Sequence, residues 1–186
     1  MITYIFVTKR LLINRTLLSM YLSIFNLNRA KPMKATTPPA DRTLTIEKTL
    51  KAPVALVWEA WTDPEHITQW WGPKGMNTKV KAHDFTVGGA WNYVMTMPDG
   101  NEFTAEGVYS LIDELQKIFT TANFRPMTEG VEMQCHFVAK GEETEFTFHV
   151  IHATAEYCQQ QEKMGFYNGW GSVFERLEEH LEAGVS

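Results

Sequence analysis

The sequence predicts an α+β fold in which a curved antiparallel sheet of about seven strands surrounds one long C-terminal helix. The chain has 186 residues, enough for one domain with a sizeable core. Between residues 75 and 151, apolar residues recur at every second position and turn residues separate the segments. After residue 154, apolar residues recur every three to four positions, the period of a helix.

The domain is predicted to begin with a strand and two short helices. Residues 43–50 alternate between apolar and polar side chains, as in a strand. Pro53 suits the first turn of a helix, where the missing N–H of proline leaves no bond unmade. Asp63 and Pro64 indicate the start of a second helix, with the aspartate as its cap. That helix is expected to end before residues 71–73.

A row of hairpins is predicted to follow. Residues 98–101, Pro-Asp-Gly-Asn, are the strongest turn signal in the chain. Strands joined in this way pair antiparallel and form a meander. The predicted strands are residues 78–84, 90–97, 102–112, 115–121, 130–139 and 144–151.

One long helix, about residues 154–183, is predicted to close the chain. The apolar stripe for burial consists of Phe166, Trp170, Phe174, Leu177 and Leu181. The opposite, outward face carries Glu175, Arg176, Glu178 and Glu179. The order is then β-α-α-β6-α. Because the concave face of the sheet must be buried against this helix, the architecture is that of a helix-grip fold.

The N-terminal residues differ in composition from the rest of the chain. Residues 1–34 hold six of the 17 basic residues and no acidic residue. We interpret them as an extension outside the domain, either a stretch upstream of a true start at Met33 or a weak targeting or membrane-contacting segment. The alternative is that they are a real part of the fold. Residues 35–42 are predicted to be a linker, and residues 43–183 the domain.

Charge and cysteine content exclude several classes of partner. After residue 34 the chain carries 11 basic and 22 acidic residues, a net charge of −11. Such a surface repels the phosphate backbone, so we expect no nucleic-acid partner. No apolar run is long enough for a stable membrane span. Two cysteines are too few for a disulfide framework. A protein without such a framework is typical of a reducing compartment, so we expect the chain to be cytoplasmic.

Several motifs in residues 43–182 resemble a known family. They are Ala52-Pro53-Val54, Trp61-Thr62-Asp63-Pro64, Trp70-Trp71-Gly72-Pro73, Val87-Gly88-Gly89-Ala90-Trp91 and Met97-Pro98-Asp99-Gly100. Together they resemble the SRPBCC superfamily (START-like, Bet v 1-like), and within it the bacterial group called activator-of-heat-shock-protein-90-ATPase-homologue-like. The resemblance implies a helix-grip fold. It also implies one of three functions: the binding of a hydrophobic or lipid ligand, the binding of a chaperone in a stress response, or catalysis similar to that of aromatic cyclases.

The aromatic residues are more numerous than one packed face requires. An ordinary large core would explain them, and so would a cavity between the sheet and the terminal helix. We expect Trp91, Tyr93 and Met95 to share the concave face with Phe103 and Tyr109. The candidate cavity residues are Trp70, Trp71, Trp91, Tyr93, Met95, Phe103, Tyr109, Phe119, His149 and Trp170.

We expect no catalytic centre, no cofactor and no metal site. His149 and His152 are three residues apart on a strand, so they point to opposite faces and cannot share an ion. His149 is the best single acid–base candidate, with Asp84 and Glu106 behind it, but a hydrogen-bonded or solvent-facing histidine is the simpler explanation of this position.

The predicted function is therefore the binding of a hydrophobic or aromatic small molecule in that cavity. Two alternatives stay open. The first is a chaperone-linked interaction domain, with a protein partner or a homodimer. The second is an enzyme similar to aromatic or polyketide cyclases.

Overall fold

The computed structural model describes residues 37–184. The predictions for residues 1–34, and the first part of the predicted linker, lie outside the described residues. The helices are α1 (Val54–Thr62), α2 (Pro64–Trp70), α3 (Ala155–Lys163) and α4 (Phe166–Glu182). The strands are β1 (Thr43–Leu50), β2 (Asn77–His83), β3 (Ala90–Thr96), β4 (Glu102–Asp113), β5 (Lys117–Arg125), β6 (Thr128–Lys140) and β7 (Glu143–Ile151).

The seven strands form one antiparallel sheet in the order β1-β7-β6-β5-β4-β3-β2. Strands β2 to β7 are therefore a continuous meander of hairpins. β1 joins the far edge by pairing with β7, with Thr43 opposite Ile151 and Leu50 opposite Thr144. The predicted fold class is confirmed, including the two short helices between the first two strands.

Irregularities in the strand register bend the sheet. They lie between Val80 and Ala82 in β2, between Tyr109 and Leu111 in β4, and between Ala122 and Phe124 in β5. Unequal residue numbers on paired strands force a local bend and a stronger twist. The sheet is consequently curved, and α4 packs against its concave face.

The core lies between that concave face and the inner side of α4. Phe146 and Phe148 of β7 and Phe174 and Leu177 of α4 are each at most 1% exposed. Trp61 of α1 fills the space beside them, with its ring centroid 5.4 Å from that of Phe146. The predicted apolar phase of the terminal helix is therefore correct at its centre.

The terminal helix is interrupted, which the sequence analysis did not predict. α3 ends at Lys163 and α4 begins at Phe166. Gly165 between them has a φ of +100°, in the left-handed region where a right-handed helix cannot continue. The prediction of one long helix over residues 154–183 is wrong at this point, because the apolar period continues across Gly165 and does not reveal its left-handed backbone.

Two side chains on the outward face of α4 are less exposed to solvent than predicted, because they contact other parts of the protein. Lys48 Nζ donates to both carboxylate oxygens of Glu178, at 2.8 and 2.9 Å. The Arg176 guanidinium is half-buried and donates to backbone carbonyls in residues 69–76, most closely to Gln69 at 2.7 Å and Gly72 at 2.9 Å. Only Glu175 and Glu179 of that face are exposed.

The end of β5 and the start of the domain differ from the predicted boundaries. β5 continues to Arg125 instead of ending at residue 121, so its hairpin with β6 turns at residues 126–127. At the other end of the domain, Ala40–Arg42 of the predicted linker forms a short 3-10 turn. The backbone oxygen of Arg42 accepts a hydrogen bond from His152 N at 2.8 Å.

Candidate ligand cavity

A cavity of about 350 Å³ lies between the concave face of the sheet and the junction of α3 with α4. Its volume is within the range of roughly 300–1,000 Å³ found for small-molecule sites. β3, β4 and β5 form the sheet side, through residues such as Met95, Phe103 and Phe124. Trp170 and Val173 of α4 form the opposite side.

Methionine is prominent in the lining. The methionines involved are Met76, Met95, Met97, Met127 and Met164. Met95 is buried, whereas Met127 is 55% exposed and Met164 is 61% exposed. The cavity therefore opens to solvent between the β5–β6 turn and the α3–α4 junction. Flexible thioether side chains let such a wall adapt to ligands of different shape.

Aromatic rings form most of the remaining wall. The Trp170 ring lies between sheet and helix, with its centroid 5.5 Å from Phe124 and 5.9 Å from Trp71, both edge to face. It also lies 4.5 Å from the ring of Phe148 beneath it. The two edge-to-face contacts have a geometry that aromatic pairs prefer, so they hold Trp170 in place where it lines the cavity.

Strand register brings the predicted residues to one face. Met95 pairs with Phe103 across β3 and β4, and Trp91 pairs with Gly107. This register confirms that the predicted apolar positions of the two strands share the concave side. Gly72 completes this corner: a Cβ at its position would lie 3.0 Å from Met95 Sδ.

The polar part of the lining is small. Thr128 Oγ1 donates to Gln161 Oε1 at 2.6 Å, and Gln161 Nε2 reaches the backbone oxygen of Met127 at 3.5 Å. His152 is 1% exposed, and neither of its ring nitrogens makes a hydrogen bond of normal geometry. Burial lowers the pKa of His152 below its ordinary value, which keeps the imidazole neutral at neutral pH.

The structure brings four of the ten predicted residues to the cavity, namely Trp71, Met95, Phe103 and Trp170. Another four lie in the adjoining core. Trp91, Tyr93 and Tyr109 border a space of only about 20 Å³. Trp70 is fully buried and donates its indole N–H to the backbone oxygen of Ala60 at 2.8 Å.

The last two predicted residues, Phe119 and His149, lie on the convex face. Their rings are 5.2 and 5.4 Å from that of His136. The reason is strand phase: His149 alternates with Phe148 and Val150, both of which are buried in the core. In β5 the neighbours of Phe119 face the core, so Phe119 points away from it.

Tyr93 and Tyr109 form a structural hydrogen-bond chain beside the cavity. His83 Nε2 donates to the backbone oxygen of Thr62 at 2.8 Å, since a carbonyl can only accept. Burial lowers the pKa of His83, so the neutral ring accepts the Tyr93 hydroxyl at Nδ1 over 2.7 Å. Burial also raises the pKa of Tyr109 to about 12. The two tyrosines therefore keep their hydroxyl protons and His83 stays neutral, which suits them to packing rather than to proton transfer.

The other acid–base candidates do not converge. His149 Nδ1 is hydrogen-bonded to Thr45 Oγ1 at 2.9 Å on the convex face. The Asp84 carboxylate accepts from Thr86 Oγ1 at 2.8 Å, and Glu106 lies 3.3 Å from the Arg125 guanidinium. Within residues 37–184, no group of three or more acidic, histidine or cysteine side chains is arranged to hold a metal ion.

Two lining residues, His152 and Gln161, are not among the ten predicted ones. A signal for His152 existed, because residue 152 continues the period-two series of Phe146, Phe148 and Val150 toward the core. The sequence contains no such signal for Gln161, because the burial of its side chain results from the packing of α3 beside the β5–β6 turn.

Solved structures with the same fold include protein NE0264 from Nitrosomonas europaea, 29% identical, with a TM-score of 0.68 over 78% of this chain and 97% of that one. Protein Ms6760 from Mycobacterium smegmatis is 27% identical, with a TM-score of 0.69 over 81% of this chain and 98% of that one. The AHSA1-like protein from Aeromonas hydrophila is 21% identical and shares the fold, with a TM-score of 0.63 over 76% and 92%.

No curated protein matches the chain. In the described part of the chain, no helix is both long enough and apolar enough to cross a membrane. Residues 51–182 match the model of the family described as Activator of Hsp90 ATPase homolog 1-like protein. That match covers most of the chain and agrees with the helix-grip architecture, so the chain belongs to the Activator of Hsp90 ATPase homolog 1-like family of the SRPBCC superfamily.

Proposed function

We propose that the chain binds a hydrophobic small molecule in the cavity between the sheet and α4. The observation that supports this most strongly is an apolar space of about 350 Å³ that reaches solvent at Met127 and Met164. A core that served packing alone would close such a space, because each unfilled volume reduces stability. The family's fold commonly encloses hydrophobic ligands, in agreement with this proposal.

The expected affinity follows from buried apolar area. A two-ring aromatic molecule buries about 250 Å², as a tryptophan side chain does. At about 25 cal/mol per Å², this area contributes about 6 kcal/mol. Such a free energy corresponds to a Kd of about 40 micromolar.

Binding can be measured with N-phenyl-1-naphthylamine, a neutral fluorophore that brightens in apolar surroundings. Its emission should rise on titration with the protein, and tryptophan emission should be quenched because Trp71 and Trp170 line the cavity. The matched variants are Gly169→Phe and Gly171→Phe in α4. Nothing lies within 4 Å of a Cβ built at either position, so neither change creates a clash at the backbone.

The two variants differ in one respect. Gly169 is exposed and lines the cavity at its mouth, whereas Gly171 does not line it. Gly169→Phe should weaken fluorophore binding at least about tenfold, because the ring obstructs the entrance. Gly171→Phe should leave the affinity unchanged. Equal effects of the two variants, or no binding by the native chain, would refute the proposed function.

The two alternatives lack a comparable observation. A cyclase needs an acid and a base that face one substrate, and His152 is the one titratable side chain among the described lining residues. A docking surface needs a contiguous apolar patch, and the exposed apolar residues that the structure brings together, Met127 and Met164, surround the cavity mouth. We keep the cytoplasm as the proposed location, because Cys135 and Cys158 are both free and buried.

A further inference from the structure

We infer that the ligand carries a neutral hydroxyl group on an otherwise apolar body, and that the imidazole of His152 binds this hydroxyl. The inference rests on the proposed function, because it concerns the same cavity. It adds the chemical class of the ligand, a phenol or an alcohol, and the residue that selects it.

The position of His152 is the first argument. Its side chain is 1% exposed and lines the cavity, yet neither Nδ1 nor Nε2 makes a hydrogen bond of normal geometry. The backbone oxygens of Arg42 and Val150 are the nearby acceptors, and they only partly offset the effect of burial on the pKa of the ring. Buried polar atoms are nearly always hydrogen-bonded, because burial removes the water that would otherwise pair with them. A ligand in the cavity would supply the missing partner.

The ring of His152 is also held in place. The backbone N–H of His152 donates to the Arg42 backbone oxygen at 2.8 Å, and the Arg42 guanidinium donates to the His152 backbone oxygen at 3.2 Å. The Tyr157 ring meets the imidazole edge to face, with centroids 5.4 Å apart. A group fixed by its neighbours in this way loses little conformational entropy when it binds a ligand.

A second hydrogen-bonding group lies on the same helix face as Tyr157. Gln161 is four residues further along α3, which places it one turn away on that face. Its Oε1 is occupied by Thr128, while its Nε2 has only a long contact of 3.5 Å to the Met127 backbone oxygen. Gln161 therefore retains donor capacity toward the cavity, which it also lines.

The charge of the site favours a neutral ligand group. A neutral imidazole offers one N–H donor and one nitrogen acceptor, and a hydroxyl can pair with either. Burial lowers the pKa of His152, which favours this neutral form. Among the described residues that line the cavity, none is Lys or Arg. An ionised carboxylate would thus lose its hydration without gaining a cationic partner.

The test compares three ligands that share one ring system: naphthalene, 2-naphthol and 2-naphthoate, each titrated calorimetrically at neutral pH. One added hydrogen bond should make 2-naphthol bind about five- to tenfold more tightly than naphthalene. The ionised 2-naphthoate should bind more weakly than both. The inference is refuted if 2-naphthol binds no more tightly than naphthalene, or if 2-naphthoate binds most tightly.

The variant His152→Phe removes both nitrogens and keeps an aromatic ring. It should abolish the preference for 2-naphthol while naphthalene still binds. His136→Phe is the matched control, because His136 also has a buried nitrogen without a partner, Nε2, but does not line the cavity. It should preserve the preference. A preference that survives His152→Phe would overturn the assignment to this residue.

A second measurement needs no variant. In nitrogen-15 NMR spectra of the native chain, 2-naphthol should shift the His152 ring nitrogens, whereas naphthalene should leave them nearly unchanged. Equal shifts with both ligands would refute the inference. The two proposals fail in different ways: the absence of naphthalene binding refutes the proposed function, whereas naphthalene binding without a hydroxyl preference refutes only the role of His152.

Discussion

Arg176 shows how one side chain outside the cavity determines the position of a wall. Its Nη2 donates to the backbone oxygen of Gln69, and the two N–H groups of its Nη1 are shared among the backbone oxygens of Trp71, Gly72, Pro73 and Met76 at 2.9 to 3.4 Å. All of these except Gln69 line the cavity, and Arg176 itself does not. Hydrogen bonds from a charged donor are stronger than neutral ones, so the loop is held firmly against α4.

We predict that Arg176→Ala lowers the free energy of unfolding by about 2–3 kcal/mol, because several buried carbonyls lose a charged donor. Urea titrations followed by circular dichroism measure this change. Lys74→Ala is the control. Lys74 lies on the same loop and its Nζ is 2.7 Å from the carboxylate of Glu179 in α4, but both side chains are mostly exposed, so this ion pair contributes little to stability. The urea midpoint of this control variant should not shift measurably; equal shifts would show that Arg176 does not hold the loop.

Period-two alternation was sufficient to predict Met95 and Phe103 as cavity residues, because one strand face is buried. Arg176 could not be predicted in the same way. Within its helix it is surrounded by glutamates, which suggests solvent. Its actual partners are carbonyls about a hundred residues earlier in the chain, and no local pattern reveals them.

At the scale of secondary structure, the junction of α3 and α4 is the feature that forms the cavity mouth. Met164, Gly165, Phe166 and Gly169 all line the cavity. Because Gly165 adopts a φ of +100°, the chain changes direction between the two helices instead of covering the sheet as one rod. The residues of this break therefore border the opening.

The phase of α4 can be tested by two neighbouring substitutions. Phe174 is fully buried, with its ring centroid 5.2 Å from that of Phe148, and Glu175 is exposed. Phe174→Ala should lower the free energy of unfolding by about 3–5 kcal/mol, because a large core side chain is lost. Glu175→Ala should change it by less than about 0.5 kcal/mol. Similar values from thermal or urea unfolding would mean that another face of α4 is buried.

Glu178 would be an unsuitable control for this experiment. It lies on the predicted outward face with Glu175, but both of its carboxylate oxygens accept from Lys48 Nζ. The helical period correctly predicted the buried side of α4. It could not predict which outward residues meet β1, because that depends on how far the sheet curves around the helix.

For the molecule as a whole, buried histidines link stability to pH. Burial is the main cause that lowers the pKa of His136 to about 4, with smaller effects from His149 and Lys117. In the unfolded chain a histidine has its ordinary pKa near 6.5. Between these values the unfolded chain binds more protons than the folded one, so the free energy of unfolding decreases as the pH falls from about 6.5 toward 4.

We predict that His136→Phe makes this decrease smaller, because the residue no longer takes up a proton on unfolding. Urea titrations at several pH values between about 4 and 7 measure the slope for the native and variant chains. Some slope should persist, since burial also lowers the pKa of His83, His149, His152 and His180. Identical slopes for the two chains would contradict the assignment to His136.

The overall topology was predictable because the two hydrophobic periods and the Pro98–Asn101 turn each have one simple structural solution. The cavity was predictable only in outline. Its mouth depends on the β5–β6 turn at residues 126–127 and on the stop at Gly165, which bring Met127 and Met164 to the same opening. Contacts between loops that are distant in sequence depend on tertiary packing, which a local sequence pattern does not reveal.

The central claim is that the cavity binds an apolar molecule. It is tested most directly by a crystal structure of the protein soaked with 1-bromonaphthalene, in which the anomalous scattering of bromine locates the ligand. We predict a bromine peak inside the cavity, in contact with Met95, Phe103 or Trp170. A cavity filled by the protein's own side chains, or bromine found only on the surface, would contradict the claim.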